Sequence, residues 1–206
     1  NRVYGGFAGN EPADYNLDNR DLENNVTILD GGNTRRVLYQ YDHFGSTAYS
    51  IWDGFTIQNG HAGSGGALYI CSNSYFYSCN FINHPADGSG GAVYSVTAMD
   101  NSSKNIFENC RFENNAASMG GAIFDMTGLN LLNNKFYNNT AYTKGGAYYV
   151  FMNKNSEVSN CIFADNTANN AGAIYNRGSM LMTNCNIINN HAQENAGGLY
   201  NEVKYS

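Results

Sequence analysis

Six five-residue blocks share one pattern: two small residues, a third small one, a large apolar residue and an aromatic. They are GGALY at 65–69, GGAVY at 90–94, GGAIF at 120–124, GGAYY at 145–149, AGAIY at 171–175 and AGGLY at 196–200. The second small residues, Gly66, Gly91, Gly121, Gly146, Gly172 and Gly197, are separated by 25, 30, 25, 26 and 25 residues. A period of this length means that one structural unit is stacked on the next, which constrains the fold more than any local propensity. A second motif runs in phase: CNFINH at 79–84, CRFENN at 110–115, NKFYNN at 134–139, CIFADN at 161–166 and CNIINN at 185–190. Two residues after each stands an alanine: Ala86, Ala117, Ala141, Ala168 and Ala192. An earlier copy, FTIQNGHA at 55–62, lacks the cysteine and keeps Ala62.

The punctuation between these motifs is Asn and Gly, which suits turns and not helices. Leucine-rich repeats need Leu at other offsets, and helical repeats need apolar residues at 3.6 spacing. The runs here are short and alternate, as strands do. Three fit in each repeat: the small-residue block, a middle run such as Asn105–Phe107, and the CxF run. The fold class expected is all-β: a right-handed parallel β-helix of about seven coils, each of roughly 25 residues with three short strands. The right hand follows the preference of parallel crossovers. The chain of 206 residues is read as one domain, with a head and first coil over 1–50 and regular coils over 51–206. It is also read as a piece of a longer protein, since it opens in a strand-like run and stops just after a repeat block.

Equivalent residues on successive coils lie about 4.8 Å apart and form columns. Cys79, Cys110, Cys161 and Cys185 make one inward column, with Asn134 in the intervening coil. Phe81, Phe112, Phe136, Phe163 and Ile187 make the next. Asn109, Asn133, Asn160 and Asn184 read as an amide ladder at a tight left-handed turn. A second ladder is Asn115, Asn139, Asn166 and Asn190, with His84 at its head. In the small-residue block, Leu68, Val93, Ile123, Tyr148, Ile174 and Leu199 share one strand face. Tyr69, Tyr94, Phe124, Tyr149, Tyr175 and Tyr200 share the other. The reading adopted turns the aliphatic column inward and the aromatic column outward. Outward, those six rings are candidate ligand-binding residues for sugar or protein surfaces; the other reading is that they only stabilise the sheet. The connection Val96–Lys104 carries six extra residues and one near Met152–Lys154 carries two, and per-coil insertions often mark a binding face.

The matches GGAI, GGAV, FENN, FYNN and FADN resemble the repeats of the chlamydial polymorphic outer membrane proteins. The head, VYGGFAGNE at 3–11 with NVTILDG at 25–31 and DGFTIQNG at 53–60, is similar to the start of secreted β-helix proteins of Bacteroidetes. The resemblance implies a right-handed β-helix, secretion or bacterial cell-surface display, and nothing definite about activity. Asn134 in place of Cys, and Ala at the head of the last two small-residue blocks, depart from the pattern.

Net charge is −6 with 14% charged residues and no run of Lys or Arg, so nucleic acid is not an expected partner. No apolar run reaches the roughly 20 residues of a membrane span. The outward charged positions of the CxF strands are Arg111, Glu113 and Lys135, read as a surface cluster. Asp125 stands alone in its column, short of the paired carboxylates of a glycosidase. No catalytic residues are assigned. The cysteines point the same way from one strand face and cannot close a metal tetrahedron, so packed free thiols are expected. His61 and His191 are five coils apart, and His43 and His84 lack partners, so no metal site is expected. In the acidic head (Glu11, Asp14, Asp18, Asp21, Glu23), Asp14-x-Asn16-x-Asp18 begins like a calcium loop but lacks its Gly and terminal Glu, leaving Ca²⁺ the one cofactor to consider. Arg20 is expected to pair locally there. Three glycosylation sequons, at Asn25, Asn101 and Asn138, are given no role. The function expected is a rigid scaffold or adhesin-like module for glycan or protein. The alternatives are a carbohydrate-active lyase or hydrolase with catalytic groups partly elsewhere, and a solenoid that associates end to end.

Overall fold

The computed structural model describes residues 1–41, 49–96, 105–152 and 154–202. The extra residues 97–104 and 153, His43 and the sequon at Asn101 therefore lie outside the described residues. Apart from a turn of 3-10 helix at Leu17–Asn19, the regular elements are short strands, and the pairings between them are parallel. Three sheets are seven strands deep, so six steps of about 4.8 Å give a rod roughly 29 Å tall. In path order, the first sheet runs from Arg2–Tyr4 to Ser179–Thr183 and the second from Thr27–Asp30 to Asn186–Ile188. The fourth runs from Leu38–Tyr41 to Leu199–Asn201.

The third side differs from expectation. Later coils carry a fourth strand: Ala116–Met119, Thr140–Lys144, Thr167–Asn170 and His191–Ala192 form their own four-stranded sheet. Earlier coils make only isolated bridges there, such as Ala62 with Ala86. The inward alanine of each copy (Ala117, Ala141, Ala168) anchors this side, and its small volume lets the wall approach the core.

Single residues in the left-handed conformation form the corners. Between first and second sheets these are Ser78, Asn109, Asn133, Asn160 and Asn184, with φ from 48° to 56°. Between second and third they include Asn83, Asn114, Asn138, Asp165 and Asn189, with φ from 53° to 60°. Asn tolerates this region better than other residues with a Cβ, which explains why it punctuates the sequence. The row Asn109, Asn133, Asn160, Asn184 thus has the expected turn geometry, but it is not the expected ladder. Its side chains are exposed, and the amide bridge found along it is Asn184 Nδ2 to Asn160 Oδ1 at 2.6 Å.

The continuous ladder is the second row. Asn139 Oδ1 accepts from Asn115 N at 3.1 Å and Asn115 Nδ2 at 3.0 Å, and Asn139 Nδ2 donates to Phe112 O at 3.0 Å. Asn166 and Asn190 repeat the arrangement. Each buried amide thereby satisfies backbone groups that the corner leaves unpaired. The cysteine column does the same job with weaker partners: Cys110 Sγ donates to Phe76 O and Glu108 O at 3.4 Å. Where Asn134 replaces cysteine, its amide accepts from Cys110 N at 2.8 Å and donates to Phe107 O at 2.8 Å. None of the five cysteines is in a disulfide; Cys79, Cys110 and Cys161 are buried and Cys71 and Cys185 half-buried. Burial pushes the Cys161 thiol up to about 12, so it is a packing group and not a nucleophile.

The core is a lattice of rings. Phe81, Phe112, Phe136 and Phe163 stack at 4.8, 4.7 and 4.6 Å, within 5° of parallel. Phe76 and Phe107 stack beside them and meet Phe81 edge-on at 67° and 69°. Each buried Phe contributes roughly 1.5–3 kcal/mol, and the rung spacing fixes the ring separation.

Candidate functional site

The aromatic column stands on the fourth sheet, and the paired small residues place it. Gly120 adopts φ 61°, and its counterpart in the next-to-last coil, Ala171, adopts the same φ of 61°. The second glycine is needed for a different reason: a Cβ on Gly146 would lie 1.9 Å from Gly172 O, and one on Gly121 would lie 2.0 Å from Gly146 O. Adjacent rungs touch backbone to backbone there. The strand then alternates, with Leu68, Val93, Ile123, Tyr148 and Ile174 fully buried inside and the aromatic column outside the barrel, as expected.

Outward, however, is not open. Phe124, Tyr149 and Tyr175 are only 4%, 2% and 4% exposed. They form a second apolar cluster with Ala171, flanked by Met119, Met126, Phe151, Tyr94 and Tyr200. Lys144 Nζ donates to Tyr175 Oη at 3.0 Å and lies 4.5 Å above its ring, while the Arg177 guanidinium lies 5.0 Å from the Phe151 ring. Tyr175 Oη donates to Glu202 Oε2 at 2.6 Å, and burial together with that carboxylate pushes its phenol well up. These three rings are therefore covered, which removes them from a platform that needs free ring faces. Tyr69, Tyr94 and Tyr200 are half-buried. The open part is an end not singled out in the sequence: Tyr39 and Tyr41 are each 59% exposed. Tyr39 stacks on Tyr69 at 5.0 Å and 11°. Arg36 lies over both Tyr39 and Tyr69, held by bonds to Gly65 O and Ser64 O at 2.9 and 2.7 Å. The run LYQY has no small-residue block ahead of it, so the repeat pattern gave no signal for it.

Arg111 and Glu113 form an ion pair of 2.8 Å, and Arg111 lies 5.1 Å from the Tyr137 ring. Lys135 is register-paired with Arg111 and joins no ion pair among the described residues. Arg20 bonds Leu17 O locally at 2.8 Å, but its carboxylate partner is outside the acidic head: Asp53 at 2.7 Å, at the end of the strand Tyr49–Asp53 of the first sheet. Glu11 and Asp21 instead accept local backbone N–H groups. Among the described residues no group of three His, Cys, Asp or Glu is placed to hold a metal ion, and no helix is long and apolar enough to cross a membrane.

Asp125 points inward, is 1% exposed and is saturated with donors. Oδ1 accepts from Thr127 N, Thr127 Oγ1 and Gly128 N at 2.7, 3.1 and 3.0 Å. Oδ2 accepts from Leu129 N, Ser156 Oγ and Tyr148 Oη at 3.0, 2.9 and 2.6 Å. A carboxylate so enclosed ties a turn to the next coil and has no free lone pair for catalysis. His84 fills an Asn position of the ladder: Nδ1 accepts from Gly60 N and Nε2 faces Ile57 O, both at 2.9 Å.

A family model described as right handed beta helix region matches residues 53–204. The chain belongs to that family. Comparison of this β-helix with curated proteins and with solved structures finds no match. The match assigns the right hand to the parallel β-helix and spans the coils that carry the Asn ladder, the Phe stack and all six rings of the aromatic column.

Proposed function

We propose that this β-helix is a rigid scaffold, secreted or displayed on a bacterial surface, that binds glycan or protein through outward aromatic residues. The observation that carries this reading is the exposed stack of Tyr39 and Tyr41 on half-buried Tyr69, set on a rod whose interior is filled by packed rings and satisfied amides. Large exposed aromatics on a fixed backbone suit recognition, because little ordering entropy is lost on binding. The enzyme reading draws less support, since Asp125 is enclosed and Glu113 is paired with Arg111. A glycan and protein array probed with the purified chain tests the proposal. Saturable binding weakened by Tyr39→Ala is expected; release of cleaved or unsaturated products from polysaccharides would favour an enzyme.

A further inference from the structure

We infer that the outward face of the first sheet, over its first four rungs, binds an uncharged linear polysaccharide lying along the rod. This rests on the glycan-binding reading above and adds a second, larger surface to it. On this sheet Trp52, Phe76 and Phe107 point into the core, so their strand neighbours point out. The register sets Tyr4, Asp53, Tyr77 and Glu108 in one outward column on four successive rungs. Tyr75 stands in the adjacent column, with the exposed ring of Tyr49 5.3 Å from it at 34°. Ring and carboxylate thus alternate at the rung spacing of about 4.8 Å, with the Asp53 side chain 17% exposed beside Arg20. A pyranose offers a C–H face to a ring and hydroxyls to a carboxylate, and an extended glycan repeats at a similar interval, so successive sugars can engage successive rungs.

Charge narrows the ligand. The Asp53 carboxylate is neutralised by Arg20 at 2.7 Å, and Arg20 also lies 5.2 Å from the Tyr4 ring. Exposed Arg2 on the first rung and Glu108 on the fourth carry opposite charges without pairing, so the face has no net charge of its own. Among the described residues of this face there is no cluster of cations to collect a polyanion, whereas carboxylate and guanidinium both bond sugar hydroxyls. Tyr75 and Tyr77 lie in the middle run of their repeat, whose residue types do not recur from coil to coil, so no column of rings stood out there in the sequence.

Affinity electrophoresis through gels containing xyloglucan, mixed-linkage β-glucan, galactomannan, polygalacturonate or heparin tests this. Retardation by at least one neutral polysaccharide is expected. Tyr75→Ala and Tyr77→Ala are expected to weaken it about tenfold each. Tyr77→Phe, which keeps the ring, and Tyr142→Ala, on the third sheet, are expected to leave it in place. Thermal midpoints confirm that each variant is folded. Retardation by polyanions alone overturns the ligand class. Retardation lost with Tyr39→Ala but kept in Tyr75→Ala and Tyr77→Ala overturns the location and leaves the scaffold reading standing. No retardation by any glycan overturns the inference together with the glycan part of that reading.

Discussion

His84 makes the ladder acid-sensitive at one rung, and His84→Asn should remove that sensitivity. The imidazole is fully buried between coils. Burial holds its pKa at about 4, below the ordinary 6.5. Its contact with the Ile57 carbonyl and the nearby Asp30 carboxylate favour the charged ring, but burial outweighs them, and protonation of Nδ1 would displace the Gly60 N–H it accepts. The folded-state pKa is depressed, so the contribution to stability is whole above the unfolded pKa of 6.5 and is lost as pH falls toward 4. With these two values the loss between pH 7.5 and pH 4.5 is about 2–3 kcal/mol. Asparagine supplies the same acceptor and donor, as Asn115 does one rung on, where its Nδ2 meets Phe81 O at 3.0 Å. It has no proton to gain in this range. Urea unfolding of both proteins at the two pH values measures the difference: the wild type should lose about 2–3 kcal/mol more than His84→Asn. Equal losses would refute the assignment of a buried neutral imidazole.

Gly146→Ala should destabilise by about 3 kcal/mol or more, since its Cβ would collide with Gly172 O at 1.9 Å. Gly145→Ala should cost less, because Ala171 already occupies the equivalent left-handed position with φ 61°; thermal midpoints of the two variants compare them. Asn139→Ala removes four ladder bonds and leaves Asn115 N, Asn115 Nδ2 and Phe112 O without their partner, for a loss of about 3–5 kcal/mol in urea unfolding. Tyr148→Phe removes the 2.6 Å bond to Asp125 and should cost about 2 kcal/mol by the same measurement.

The columns were legible because a parallel solenoid maps a sequence period directly onto space. Phe81, Phe112, Phe136 and Phe163 fall in register where the repeat puts them. The inward turn of Ile123 and outward turn of Phe124 follow from strand alternation. Other features depend on groups brought in from different offsets. The cover over Tyr149 and Tyr175 comes from Lys144, Phe151 and Arg177, which share no repeated residue type. The third-sheet strands were missed because AASM has no β-branched residue, TANN has only Thr167, and neither shows apolar–polar alternation. In the FENN and FYNN motifs both asparagines have work, but of different kinds. The first, as Asn114 or Asn138, takes the left-handed corner, and the second, as Asn115 or Asn139, carries the amide ladder. Residue type alone cannot separate these roles. Asp125 looked isolated because its donors lie in its own turn and on the next coil. The Arg20 partner, Asp53, lies 33 residues away, and Arg20 itself sits in the head, outside the regular repeat.

The partition of the 16 tyrosines between architecture and recognition is tested most directly by nitration followed by mass-spectrometric mapping. Tyr39, Tyr41, Tyr49 and Tyr142 are exposed and should be modified first, with Tyr148, Tyr149 and Tyr175 protected until the protein unfolds. Modification of Tyr149 and Tyr175 in the native state as fast as that of Tyr39 would contradict the covered column and return those rings to the candidate binding surface.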